Sequence, residues 1–210
     1  MTALEINRLS VERGGRIVLD GVQILVNSGQ AMIVTGPNGV GKTTLLRTIA
    51  GYLPVYSGAI ELKGGEADRE IAEQLHYVGH HNAIKLAMTV RENLRFWAAF
   101  LGKKSPEDMH MAVETALKRF HLSALAEIPA AYLSAGQKRR TSLARLLVAP
   151  RPLWLLDEPT VALDAASCKT LIDVGNAHLR NGGLILAATH LPLDFEGVAE
   201  VQLSYPAEGQ

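Results

Sequence analysis

The spacing of apolar and polar positions changes twice along this chain. From Leu4 to Val26 the two kinds alternate, in "LEINRLSVERG" and again in "RIVLDGVQILVN", with Gly14 and Gly15 between the runs. Alternation puts every second side chain on one face, so the pattern predicts two half-buried strands joined by a turn. "AMIVTG" is a short apolar run closed by Gly and reads as a buried strand. "KTTLLRTIAG" follows as a helix that closes at Gly51, and "GAIELKGG" as another short strand. From about Val90 to Ala149 apolar residues recur every three or four positions, in "VRENLRFWAAFLG" and "PEDMHMAVETALKRFHL". That period predicts helices, and Pro106 suits a first helical turn. The last third returns to strand "LWLLD", helix "AASCKTLIDVGNAHLRN", strand "LILAAT" and a terminal strand "EVQLS". Strands alternating with helices predict an α/β fold with a parallel sheet. The helical stretch reads as a subdomain inserted at about 88–149 in a single domain spanning 1–210. The tail after Tyr205 is expected to fray.

Composition narrows the class. The 210 residues carry 21 basic and 21 acidic side chains, so no basic stripe for nucleic acid is implied. The single Cys168 has no internal disulfide partner, fits a reducing compartment, and reads as a small packing residue on a helix. The start "MTALEINRLS" lacks a basic-then-apolar leader pattern, and no apolar run reaches the roughly 18 residues of a membrane span. The chain therefore reads as soluble, with any membrane role carried by partner subunits.

Three stretches carry chemistry. "GPNGVGKT", Gly36 to Thr43, matches G-x-x-x-x-G-K-[ST] between a predicted strand and a predicted helix. In Gly36, Pro37, Asn38, Gly39, Val40 and Gly41 the glycines let backbone N–H groups approach phosphate oxygens, and the helix N-terminus adds positive potential. Lys42 is expected to reach the β- and γ-phosphates, Thr43 to ligate Mg²⁺, and Thr44 to donate to the α-phosphate. "PLWLLDEPT" is an apolar strand ending in two carboxylates. Adjacent strand-end residues point to different sides. Asp157 then faces the metal and Glu158 an attacking water. His190 ends "LILAATH", and ligands of open parallel sheets bind beyond the C-terminal strand ends. His190 is thus expected near the same phosphates, as a partner of the γ-phosphate or the water.

The order of motifs completes the reading: Gly36–Thr43, then "LSAGQ" at Leu133–Gln137, then Leu153–Glu158, then "ALD" at Ala162–Asp164, then His190. It resembles the ATP-binding subunit of ABC transporters over nearly the whole chain. The resemblance implies a P-loop NTPase of the ABC cassette type, with a mixed-sheet core, an N-terminal antiparallel β part and an inserted helical subdomain. It implies an ATPase that uses Mg²⁺ and forms a head-to-tail homodimer on binding ATP. Ser134, Gly136 and Gln137 then serve the nucleotide held by the partner copy. Ala135, at the usual second Gly of the signature, and Asp164 lie at that interface.

Two positions depart from the family pattern. His80 stands twelve residues before Glu92, where the family usually has a Gln that contacts Mg²⁺. A neutral His80 accepts from a metal-bound water, whereas a protonated one repels the ion. His76, His80 and His81 also admit a metal- or haem-ligand reading, although no completed ligand set follows. By spacing, Arg13 takes the place of an aromatic that stacks on adenine; it is either a stacking guanidinium or a solvated turn residue. "GYLPVYSG", "YVGHHNAIKLAMTVRENL", "LSAGQKRRTSLARL" and "LWLLDEPTVALD" look like the ATP-binding subunit of the cytochrome c maturation system, the haem exporter ATPase. That resemblance implies polytopic membrane subunits as partners, at the cytoplasmic face of the bacterial inner membrane. Export of another small substrate, a soluble ABC-type ATPase on nucleic acid or ribosomes, and a simple P-loop kinase are the alternatives. The kinase needs neither "LSAGQ" nor "ALD".

Overall fold

The computed structural model describes residues 2–102 and 105–206; the tail expected to fray lies outside the described residues from 207 on. The chain divides into two compact units. Met1–Gly79, Pro152–Glu158 and Gly175–Gln210 form one, and His80–Arg151 with Pro159–Val174 the other.

In the first unit the alternating runs are β1 (Ala3–Arg13) and β2 (Arg16–Asn27), paired antiparallel across the Gly14-Gly15 turn. They are followed by β3 (Ala31–Thr35), α1 (Lys42–Ile49), β4 (Ser57–Lys63) and β5 (Leu75–Val78). Further along the chain come β6 (Leu153–Asp157), β7 (Leu184–Ala188) and β8 (Val198–Gln202). One sheet is antiparallel, in the order β2-β1-β4, and the other is parallel, in the order β5-β6-β7-β3-β8. The fold is α/β, as the alternation of elements predicts. β6 and β7 are buried along their whole length, which is why "LWLLD" and "LILAA" are continuous apolar runs. β8 lies at the sheet edge and is largely exposed. One apolar cluster, including Leu4, Val26, Val34, Leu46, Leu155 and Leu186, ties both sheets to α1. Each fully buried Leu or Val contributes about 1.5–3 kcal/mol.

Parallel pairing has the consequence that matters for function. Val34 pairs with Ala188, and Ala188 with Asp157. Strands β3, β7 and β6 therefore reach their C-terminal ends at one level of register, and whatever follows them is brought together. The strand pattern did not predict β5: "LHYV" is four residues long, lies between Gln74 and Gly79, and is too short for periodicity to register. Pairing with β6 orders it and sets Tyr77 beside Leu155.

Behind the sheet, the His178 ring stacks on Trp154 with centroids 3.9 Å apart and planes within 4°. Burial pushes the His178 pKa down from 6.5 to about 4. The folded chain thus prefers the neutral ring. Stability from this group is complete above pH 6.5 and is lost as pH falls toward 4, because the unfolded chain then binds the extra proton. Urea unfolding of wild type and His178→Phe is expected to show a wild-type loss between these pH values, at most on the order of 3 kcal/mol, that the variant lacks. Parallel pH profiles would contradict it.

The second unit holds α2 (Val90–Leu101), α3 (Pro106–Arg119), α4 (Ala135–Ala144) and the first part of α5 (Ala165–Arg180). Thr89 and Glu92 form a capping box at the start of α2, each side chain meeting the other's backbone N–H. Ser105 caps α3, with Pro106 in its first turn. Arg91 on α2 pairs with Glu114 on α3 and with Glu127. Leu94, Val113, Leu117, Phe120 and Leu143 fill the interior of this unit. Cys168 is half-buried, and burial with the nearby Asp164 charge pushes its thiol pKa up, which leaves a poor nucleophile.

Candidate active site

The loop between β3 and α1 is built on backbone conformations that only glycine adopts easily. Gly36 has φ 134° and Gly41 φ 110°. A Cβ at Gly36 would lie 2.6 Å from the Leu203 carbonyl oxygen, and one at Gly41 2.6 Å from the Leu19 side chain. Neither position has room for a larger residue. Val40 points inward and is buried in the apolar cluster, so only its backbone faces the loop. Gly41 is the N-cap of helix α1, which has no side-chain cap and no acidic residue in its first turn. Its first N–H groups are thus available to an anion.

Lys42 is 8% exposed, and its ammonium donates to the carbonyls of Gly36 at 2.7 Å and Pro37 at 3.0 Å. It bridges the loop it belongs to. The Thr43 hydroxyl donates to Asp157 Oδ1 at 3.0 Å, and the Tyr77 hydroxyl to Asp157 Oδ2 at 3.3 Å. Asp157 is 3% exposed. The Tyr77 pKa is raised, first by burial and then by the Asp157 charge, with Arg47 acting the other way. Tyr77 therefore keeps its proton and donates. Sequence reading missed Tyr77, because its position depends on the pairing of β5 with β6.

Glu158 begins where β6 stops. Its φ is 47°, a conformation costly for a side-chain-bearing residue, and its N–H donates to the Ala188 carbonyl at 2.8 Å. The turn carries its carboxylate to His190, whose Nε2 lies 3.7 Å from Glu158 Oε1. The adjacent acids thus serve two sides: Asp157 the phosphate loop, Glu158 the histidine. One open cavity of about 680 Å³ is lined by Arg13, Asn38, Gly39, Gly41, Lys42, Thr43, Thr44, Asp157, Glu158 and His190. The donors offered beside the phosphate loop are a hydroxyl and a carboxylate, hard oxygens that fit a small divalent cation and not a soft one.

The remaining candidates belong to the second unit. Ser134 is the N-cap of α4: its Oγ accepts from the Gln137 N–H at 3.2 Å, and Gln137 Oε1 accepts from the Ser134 N–H at 2.8 Å. The Ser134 hydroxyl proton is left to donate elsewhere. Ala135 is the first residue of the helix and is not among those with positive φ, so its methyl group is accommodated without strain. Gly136 is held to glycine by contact, since a Cβ there would sit 2.9 Å from the Ala162 carbonyl oxygen. Asp164 accepts from the Ser167 N–H at 2.7 Å, and hydrogen bonds from the Ser167 side chain and backbone hold its carboxyl below the usual range. His80 is exposed and meets His81 edge-on at 5.9 Å. Among the described residues no group of three or more His, Cys, Asp or Glu side chains is placed to hold a metal.

A Gly-rich loop between a buried parallel strand and a helix, with a carboxylate pair and a histidine at the neighbouring strand ends, defines a P-loop nucleotide-binding domain. The chain belongs to the ABC transporter family, whose profile matches residues 19–161. It is 50% identical over 198 residues to the "Cytochrome c biogenesis ATP-binding export protein CcmA" of Nitrobacter winogradskyi, an alignment that covers 94% of each chain. Among solved structures it is similar to an ATP-binding subunit of an ABC transporter, with a TM-score of 0.82 and 27% identity over 90% of this chain and 79% of that one. It shares its fold with the ATP-binding cassette MJ0796, solved as a dimer in a post-hydrolysis state with ADP and Pi, at a TM-score of 0.76 and 23% identity, covering 90% of this chain and 88% of that one.

Proposed function

We propose that this chain is the ATP-hydrolysing subunit of an ABC export complex that serves cytochrome c biogenesis, with haem as the cargo. The observation that carries the chemistry is the convergence of Lys42, Thr43, Asp157, Glu158 and His190 on one cavity. The biological assignment is supported by half-identity to a relative named as a cytochrome c biogenesis export protein.

The roles follow from the geometry. The loop N–H groups and Lys42 hold the phosphates, Lys42 exchanging its carbonyl partners for anionic oxygens. Arg13, at the rim of the same cavity, stacks on the base. Thr43 and Asp157 would hold Mg²⁺, and Tyr77 fixes the far oxygen of Asp157. Bound there, Mg²⁺ would draw charge from the phosphate oxygens. Glu158 accepts a hydrogen bond from the attacking water and takes its proton as the oxygen bonds to the γ-phosphorus and the bond to ADP breaks. His190 steadies that arrangement from the γ-phosphate side.

Ser134 and Gly136 of one copy complete the phosphate site of another in an isologous dimer, with Asp164 at the same interface. The MJ0796 dimer supports this association. His80 stands in for the metal-contacting Gln. Among the described residues no helix is long and apolar enough to cross a membrane. The chain docks on polytopic partner subunits at the cytoplasmic face of the inner membrane.

Complementation tests this function. In a bacterium lacking its own cytochrome c biogenesis ATP-binding export protein, expression of this chain is expected to restore haem-stained c-type cytochromes, and the chain to sediment with membranes only when the polytopic subunits are present. Membrane association without restored holocytochrome would refute the assigned cargo.

A further inference from the structure

Four consecutive carbonyls, Thr35 to Asn38, run through the first half of the phosphate loop, and each accepts a hydrogen bond. The Leu203 N–H donates to Thr35 at 2.9 Å. Lys42 Nζ donates to Gly36 at 2.7 Å and to Pro37 at 3.0 Å. The Tyr205 hydroxyl donates to Asn38 at 2.8 Å. A trans peptide is planar, and its C=O and N–H point opposite ways. A carbonyl held outward therefore turns the next residue's N–H inward. Through Thr35 this orients the Gly36 N–H, and through Asn38 the Gly39 N–H; Gly39 lines the cavity.

The four bonds differ in what nucleotide binding does to them. Lys42 gives up its two carbonyls when its charge turns to a phosphate. The other two donors, Leu203 and Tyr205, sit on the segment just after β8 and have no reason to move. The contact is close, since the Leu203 carbonyl leaves no space for a side chain at Gly36.

We propose that Tyr205 is a positioning residue for phosphate binding: its hydroxyl holds the Asn38 carbonyl outward and keeps the Gly39 N–H directed at the anion. The proposal rests on the ATP-binding reading above. Nothing in the motif order points to it, because Tyr205 lies 167 residues from Asn38 along the chain.

Tyr205→Phe removes one O–H and keeps the ring. Calorimetric titration of the full chain with Mg-ATP is expected to show affinity about three- to tenfold weaker than wild type, the worth of one neutral hydrogen bond. The loss is expected to fall on KM more than on kcat. Amide exchange at Gly39 and Val40 is expected to speed up, while the melting temperature without nucleotide stays within about 2 °C. Wild-type affinity and wild-type exchange in the variant would overturn the proposal and leave ATP binding standing. A melting temperature that falls along with affinity would also overturn it, making the bond merely structural. Failure of the wild-type chain to bind Mg-ATP would overturn both this proposal and the reading beneath it.

Discussion

Glu158→Gln is expected to bind ATP as wild type does and to lose about 100- to 10,000-fold in steady-state turnover, the usual contribution of a positioned general base. The substitution exchanges one carboxylate oxygen for an amide and keeps the shape. The backbone at 158 already holds φ 47° through its N–H bond to Ala188, so the side chain still leaves the strand in the same direction. What disappears is the carboxylate proposed to take the water's proton, whose Oε1 lies 3.7 Å from His190 Nε2. Asp157 keeps its contacts with Thr43 and Tyr77, so nucleotide binding survives. Phosphate release measured beside size-exclusion chromatography separates the two effects. ATP should accumulate in a stable dimer that does not turn over. Normal phosphate release would end the role assigned to Glu158.

Lys42→Ala is expected to weaken ATP binding on the order of a hundredfold or more, because each charge-assisted hydrogen bond to phosphate is worth about 1.5–3 kcal/mol. Lys42 acts twice at this site. In the proposed complex its ammonium would supply the positive charge closest to the β- and γ-phosphates, and it spans the loop by holding the Gly36 and Pro37 carbonyls. Alanine removes both, while Leu45, Leu46 and Ile49 still bury the inner face of α1. The melting temperature therefore changes little while affinity collapses. Unchanged affinity by calorimetry would remove the phosphate site from this loop. Comparison with Tyr205→Phe grades the loop: loss of the charge costs far more than loss of one carbonyl clamp.

Much of the site was legible along the chain, for reasons that differ by residue. Gly36 and Gly41 are visible through the G-x-x-x-x-G-K-[ST] spacing; the structure adds why no other residue fits, since both have positive φ and closely approach Leu203 and Leu19. Asp157 and Glu158 are visible because a five-residue strand buried throughout has no other use for two adjacent carboxylates at its end. His190 is visible only through the rule that ligands gather at C-terminal strand ends. Its 3.7 Å approach to Glu158 needs β6 and β7 side by side. Tyr77 and Tyr205 left no signal, since one sits in a four-residue strand and the other on a segment far along the chain from its partner. Gly136 was read as part of a signature, yet its local necessity is the Ala162 carbonyl 2.9 Å from where a Cβ would be.

The sequence by itself determined most of the elements, their α/β order and the identities of the charged and hydroxyl groups, because periodicity, capping and glycine conformation are local properties of neighbouring residues. Tertiary structure decided the rest. Strand order and register brought the ends of β3, β6 and β7 to one level, and the return of the chain after β8 laid Leu203 and Tyr205 against the phosphate loop. The bonds from Thr43 and Tyr77 to Asp157 and from Tyr205 to Asn38, and the approach of Glu158 to His190, join residues between 32 and 167 positions apart or strands that meet only in the sheet. Such contacts are set by which side chains the core can bury together, and no local pattern records them.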